Sequence, residues 1–356
     1  MRVRPGFLAL LVWLAAIAPA QAVGCVRATC TGTGDDMSRY LAPGTWRVSE
    51  GYRFFTSHRH FIGTTEQVQR TIEGSEQINV ENFIDMGLTY VVSERLRLVA
   101  DLPFQFNTRS TPILNVNHQV FARDLDTAAG QGDLVLGARW WLLDPVAEPA
   151  ANLEIGLGAK LPTGRYNLTA AHRSLAGAGN GTSDLKSTEE PIDPSIQPGD
   201  GGFGAMIQLA GFWQASETVG LYLDGTYLLN PQGTNGVPAY TGSEVSVTDQ
   251  YLLRVGAEVP VPWLEGLGVS LGGRLDGVPI TDLVGPSEGF RRPGLSAALD
   301  PGVSYAWGQS TLALNVAVPL FRNRLPSLEE QRAGVPGDAA FADYLVTLGY
   351  SYTWKP

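Results

Sequence analysis

The sequence predicts an all-β protein, a single twelve-stranded antiparallel transmembrane β-barrel of the outer-membrane kind. Three observations point there. Segments of about ten residues alternate apolar with small or polar positions, the connections between them alternate short and long, and the composition suits strands and turns. Hydrophobic residues make up 44% and charged residues 17% of the 356, with 42 glycines and 23 prolines. An average soluble domain is roughly 25% charged, so this is a turn-rich, strand-rich profile. A mean hydropathy of -0.01, with no apolar run of about 18 residues after the N-terminus, excludes a polytopic helical membrane protein. The chain is also too hydrophobic for disorder. The net charge of -10 argues against nucleic acid or anionic lipid head groups as partners, because both need basic surface to release counterions.

Residues 1–22 read as a secretory signal: Arg2 and Arg4, then an uncharged apolar stretch from Phe7 to Ala18, then the cleavage pattern Ala20-Gln21-Ala22. Residues 23–44 form a periplasmic segment that carries the two cysteines, Cys25 and Cys30. In an oxidising periplasm these most simply close one small disulfide loop. Ala22-Val23-Gly24-Cys25 also resembles a lipoprotein cleavage box, with Ala22 where leucine is usual, so lipidation of Cys25 is the alternative. Residues 45–356 are assigned to the barrel.

The first strand is Trp46 to Phe54. The second, Asn79 to Val92, has Val80, Ile84, Met86, Leu88, Tyr90 and Val92 on one face and Glu81, Asp85, Gly87 and Thr89 on the other. After a tight turn at Ser93-Glu94, the third runs from Arg95 to Asn107, with Leu96, Leu98, Ala100, Leu102, Phe104 and Phe106 opposite Arg97, Asp101 and Gln105. The fourth, Asp133 to Leu143, and the fifth, Ala151 to Leu161, repeat the pattern. So do Phe203 to Trp213, Val219 to Leu229, Tyr251 to Val259, Leu267 to Leu275, Leu295 to Tyr305, Leu312 to Leu320 and Tyr344 to Trp354. Connections after the even strands are short. Those after the odd strands are long and polar: His58 to Ile78, Thr108 to Gln131, Pro162 to Gly202, Asn230 to Thr248, Asp276 to Pro293 and Phe321 to Asp343. Short periplasmic turns, long outer loops and an even strand count are the habit of outer-membrane barrels, and they put both termini in the periplasm.

Periodicity does not say which face points inward. The strands are long enough to cross a ~25 Å apolar band when tilted, and aromatic residues gather at strand ends as interfacial girdles do. The end of the chain also has the pattern Thr347-x-Gly349-x-x-Tyr352-x-Trp354. It resembles the terminal-strand signal read by the barrel assembly machinery. Together these favour an apolar face against outer-membrane lipid.

Three stretches carry a family resemblance: Gly130-x-Gly132-Asp133-Leu134-x-Leu136-Gly137-Ala138-Arg139-Trp140, Gly156-Leu157-Gly158-Ala159-Lys160-Leu161-Pro162-Thr163-Gly164, and Asp193-Pro194-Ser195-Ile196-Gln197-Pro198-Gly199-Asp200-Gly201-Gly202. They resemble the phenol-degradation meta-pathway family of outer-membrane barrel transporters. That resemblance implies a channel for hydrophobic or aromatic small molecules. Physically the same residues punctuate strands, since proline cannot donate to a ladder and glycine turns the chain into a loop.

The histidines His58, His60, His118 and His172 fall in or beside predicted outer loops, and none lies on an apolar strand face. Without a nucleophile, base and orienter together no enzyme is expected, and no cofactor. Arg53, His58 and His60 could form a weak metal or anion site, but with no third ligand they read better as solvated loop residues. The lumen-lining candidates are Arg97, Asp101, Asp133, Arg139, Glu154, Lys160, Asp224, Arg254, Glu258, Arg274 and Asp276, joined by Arg47, Arg53, Glu81 and Asp85. Charges inside so narrow a barrel must pair or line water. If they segregate they line a polar pore, and the protein is a channel for a small solute constricted by the loop Pro162 to Gly202. If they pair, they plug a structural or adhesive barrel whose loops bind partners.

Overall fold

The architecture is that of a computed structural model describing residues 40–356 except 116, 118 and 176–184. The signal segment, the Cys25 and Cys30 pair and His118 lie outside the described residues. Twelve strands form the wall: β1 (Trp46–Ile62), β2 (Ile78–Val91), β3 (Leu96–Leu114), β4 (Leu134–Trp141), β5 (Ala151–Leu161), β6 (Gly204–Gln214), β7 (Gly220–Leu229), β8 (Gln250–Pro260), β9 (Leu267–Val278), β10 (Gly294–Trp307), β11 (Ser310–Arg324) and β12 (Ala339–Trp354). Each pairs antiparallel with its neighbours, and β12 returns to β1 in a ladder from Trp46 opposite Trp354 to Phe61 opposite Ala339. Closure leaves the wall without a free edge, as a sheet in hydrocarbon requires.

The side of the wall that periodicity left open is decided by exposure. Met86, Leu88, Leu98, Leu136, Leu157, Val255, Leu271, Leu299, Val303 and Leu348 are exposed on the outside, while Arg53, Glu81, Asp85, Arg97 and Glu154 on the alternate positions are buried inside. The wall is therefore apolar outside and charged inside, the inverse of a soluble barrel. At the end with the short turns, Trp46 lies 4.6 Å from Tyr90 and 6.4 Å from Trp354, which continues into Tyr352. Trp307 joins Tyr305 and Tyr350 in the same belt. The terminal residues Tyr352 and Trp354 thus sit in an aromatic girdle, and Thr347 and Gly349 pair with Arg53 and Gly51 at the seam.

Several boundaries differ from the sequence expectation, β11 running on to Arg324 and β12 starting at Ala339 among them. β1 continues past Phe54 to Ile62 through two register shifts, so His58 and His60 stand on a strand and not in a loop. β3 continues to Leu114 and pairs with Val120–Gln131, so the expected loop Thr108 to Gln131 is a hairpin rising from the wall. Its residues are polar on both faces at many positions, which removes the alternation that marks a lipid-facing strand. β4 is shorter than expected and begins after Asp133. The remaining outer connections hold hairpins at Thr169–Leu175 with Leu185–Pro191 and at Thr234–Pro238 with Glu244–Ser246. They also hold short helices at Val68–Glu73 and Leu328–Ala333, the latter opened by a capping box of Ser327 and Glu330.

Candidate functional site

The outer connections fold over the barrel mouth, and the one after β5 folds into it. In the limb from Ile192 to Gly202, Ile192, Ile196 and Gln197 are almost fully buried. The three motif stretches explain how. Thr163 Oγ1 donates to the Gly132 carbonyl at 2.9 Å and accepts from the Leu134 amide at 2.9 Å. The Asp133 carboxylate accepts the amides of Gly164 at 3.0 Å and Asp200 at 3.2 Å. A Cβ on Gly199 would lie 2.5 Å from the Gly164 carbonyl oxygen, so the chains can cross there only as glycines. Lys160 pairs with Asp200. Residues from three places in the sequence thus form one knot that holds the limb down. Asp133 stands in this knot at the mouth, its carboxylate engaged by two loop amides.

Further along the limb, Asp193 presents both carboxylate oxygens to Arg292, at 2.8 and 2.5 Å, and lies 3.3 Å from Arg109. Burial alone would raise this carboxyl, but the two guanidiniums more than offset it and hold it well below the usual carboxylate range. Asn79 accepts from Arg109 at 2.9 Å and donates to Ser195 Oγ at 3.1 Å, tying wall to limb. Gln105 donates to the Pro198 carbonyl at 2.7 Å. The sequence reading missed Arg109, Asp193 and Arg292 as a unit. Asp193 stood in a quoted motif, but Arg292 lies 99 positions away, and no spacing rule connects them.

Between this limb and the connections after β1, β7 and β11 lies a cavity of about 650 Å³. Its lining includes His60, Arg70, Asn79, Arg109, Asp126, His172, Asp193, Tyr240, Arg292 and Asp338. His60, buried, accepts the Gln77 amide on Nε2 at 3.1 Å, so Nδ1 carries the proton and faces Asp338 at 3.0 Å. His172 lies 3.6 Å from Asp126, whose carboxyl is raised by burial against the opposing pull of His172. His58 lies 3.3 Å from Asp343. Arg53 is engaged with Asp85 inside the barrel, so Arg53, His58 and His60 do not converge on one site. Among the described residues no group of three His, Cys, Asp or Glu is placed to hold a metal ion.

Below the limb the interior is a belt of ion pairs. Arg97 donates to Glu154 at 2.8 Å and lies 5.1 Å over the Trp141 ring. Arg254 meets Asp300 at 2.8 Å, Arg274 meets Asp276 at 2.7 Å, and Arg53 meets Asp85 at 2.9 Å. Arg139 donates to Gln208 at 3.1 Å, and Glu258 accepts from Ser304 at 2.8 Å. Asp101 is buried, and Asp224 is half-buried directly opposite Arg254 on the neighbouring strand. These partners sit on the same strand or on strands at most two apart, so the pairs follow the wall. Asp300 and Gln208, both essential to this belt, were absent from the sequence candidates because neighbouring-strand register decides them. The interior is also not wholly polar. Phe55, Phe83, Ala298, Ala317 and Leu345 form one apolar patch, with Arg53 stacked 4.4 Å over Phe83, and Val135, Met206 and Leu228 form another.

Solved structures share this fold. An outer membrane channel from Pseudomonas putida F1 is similar with a TM-score of 0.60 at 14% identity, covering 91% of this chain and 99% of that one. The P. putida toluene transporter TodX is more distant, with a TM-score of 0.44, 10% identity and coverage of 91% and 92%. The translocator domain of the autotransporter NalP from Neisseria meningitidis has 0.43, 10%, and coverage of 90% and 91%. At 14% identity the likeness to the P. putida F1 channel establishes an outer-membrane barrel fold and nothing about cargo. No family model and no curated protein matches the sequence.

Proposed function

We propose that the protein is an outer-membrane channel that passes a small, apolar or aromatic solute by diffusion. The observation that carries this reading is the cavity of about 650 Å³ at the outer mouth, within the size range of small-molecule sites. It is lined by both guanidinium groups and apolar side chains, and it stands above an interior with two apolar patches. The limb Ile192 to Gly202 serves as the constriction between cavity and lumen, held by side-chain contacts that a loop can make and release. No step of this function calls for bond chemistry, so no residue is given a catalytic role.

A second reading is a structural or adhesive barrel, and one observation favours it. Arg97, Asp101, Glu154, Arg254, Arg274 and Asp276 are at most 8% exposed, as a plug would have them. Planar-bilayer recording of the purified, folded chain separates the two. Discrete single-channel steps that grow when Gly199 is replaced by alanine, loosening the limb, are expected of the channel. A correctly folded barrel that stays silent in both forms would leave the plugged reading standing.

A further inference from the structure

The three groups of the Asp193 clamp come from independent parts of the molecule. Asp193 is on the limb, Arg109 on β3, and Arg292 on the segment leading into β10. A guanidinium fork with both donors on one carboxylate, at 2.8 and 2.5 Å, is the geometry by which proteins recognise planar anions. The second guanidinium, Arg109 at 3.3 Å, is oriented by Asn79. All of them line the 650 Å³ cavity, and the carboxylate that fills the fork belongs to the limb proposed above as the constriction.

The rest of the cavity limits what else could use that fork. Ile192, Pro194, Pro238, Tyr240 and Val245 supply apolar surface, and Tyr240 stands edge-on to Phe290 at 4.9 Å. The Arg292 guanidinium lies 4.9 Å over the same Phe290 ring. Asp126, Glu190, Glu330 and Asp338 also line the cavity, but Asp126 faces His172, Glu330 holds Arg324, and Asp338 holds Arg70 and faces His60, so the place the cavity offers an anion is the fork of Arg292 and Arg109. One anionic head and an apolar body is the shape that satisfies all of these groups.

We propose that Asp193 occupies a carboxylate-binding site, and that the solute is a small monocarboxylate with an apolar or aromatic body whose carboxylate replaces that of Asp193 between Arg109 and Arg292. The inference deepens the channel reading and rests on it only for the statement that the ligand is transported. Because the resident carboxylate is tethered, it competes at an effective concentration in the millimolar range. Binding to the native chain is therefore weak, which suits a solute that has to leave again.

The test uses the purified chain in detergent and in liposomes, with benzoate as probe and benzamide as its neutral isostere. Asp193→Asn keeps the side-chain shape and removes the competing charge. Titration calorimetry is expected to show this variant binding benzoate at least about tenfold tighter than the native chain does, and about tenfold tighter than it binds benzamide. Adding Arg292→Gln should abolish the preference, and Arg109→Gln serves where that double variant does not fold. Equal binding of the two probes, or no binding of either, to folded Asp193→Asn overturns the inference. Preferential binding without liposome permeation upholds the site and removes the transport reading. Permeation of both probes with no carboxylate preference does the opposite.

Discussion

The ion-pair belt inside the barrel and the Asp193 clamp at its mouth use the same chemistry on different scaffolds. In the belt, Arg254 and Asp300 are held by strands two apart in a closed sheet, 5% and 2% exposed. Neither strand can move without breaking ladder hydrogen bonds. In the clamp, Arg292 and Arg109 hold a carboxylate carried on a connection that has no ladder of its own at that point. The difference teaches that one set of pairs joins strands of the wall, while the other fastens a connection onto it.

Breaking a belt pair should therefore have the largest effect. Arg254→Ala leaves Asp300 buried and uncompensated, and chemical unfolding in lipid should show a loss of about 3–5 kcal/mol. Replacing both members with apolar residues should restore most of it. A small loss in the single variant would mean that the belt is wet and behaves like the mouth.

The outer face of the wall gives the contrast to its interior. Leu271→Arg places a charge at a lipid-facing site in the middle of β9, expected to cost about 2–4 kcal/mol near the midplane. An unchanged unfolding midpoint in bilayers would put that face in water.

Gly199→Ala acts on the knot. The added carbon would meet the Gly164 carbonyl at 2.5 Å, an overpacking of about 1–3 kcal/mol. It should make the limb between residues 192 and 202 accessible to protease while the barrel stays folded. Coincident loss of limb and barrel would join the two regions that this comparison separates.

The smallest expected effect is on pH. The folded-state carboxyl of Asp193 is held below its unfolded value, so its contribution is present above the unfolded value, roughly 3.9, and is lost as pH falls through the lower folded one. Protease accessibility of the limb should be the same at pH 7 and pH 5 and rise only in strong acid. Release already at pH 5 would show that the guanidiniums are not the dominant influence on that carboxyl.

Much of the wall was legible because a strand between lipid and interior must alternate. Met86 and Leu88 against Asp85, or Leu153 and Ile155 against Glu154, announce two faces wherever they occur. The hairpin above β3 was not legible, since its covered face carries Asp124 and Asp126 beside Ala128, so polar residues stand on both faces and the apolar alternation is lost. The knot was half legible: Gly132-Asp133, Pro162-Thr163-Gly164 and Pro198-Gly199-Asp200 each read as a chain turning, but nothing in the linear order shows that they touch.

By itself the sequence determined the twelve strands, their up-and-down order and the alternation of short and long connections, because period-two patterning and turn residues act over a few neighbours. Only the tertiary structure decided which carboxylate meets which guanidinium, and which residues pin the connection after β5 at the mouth. Those outcomes depend on register around a closed sheet and on groups brought together from distant positions, and no local spacing encodes them.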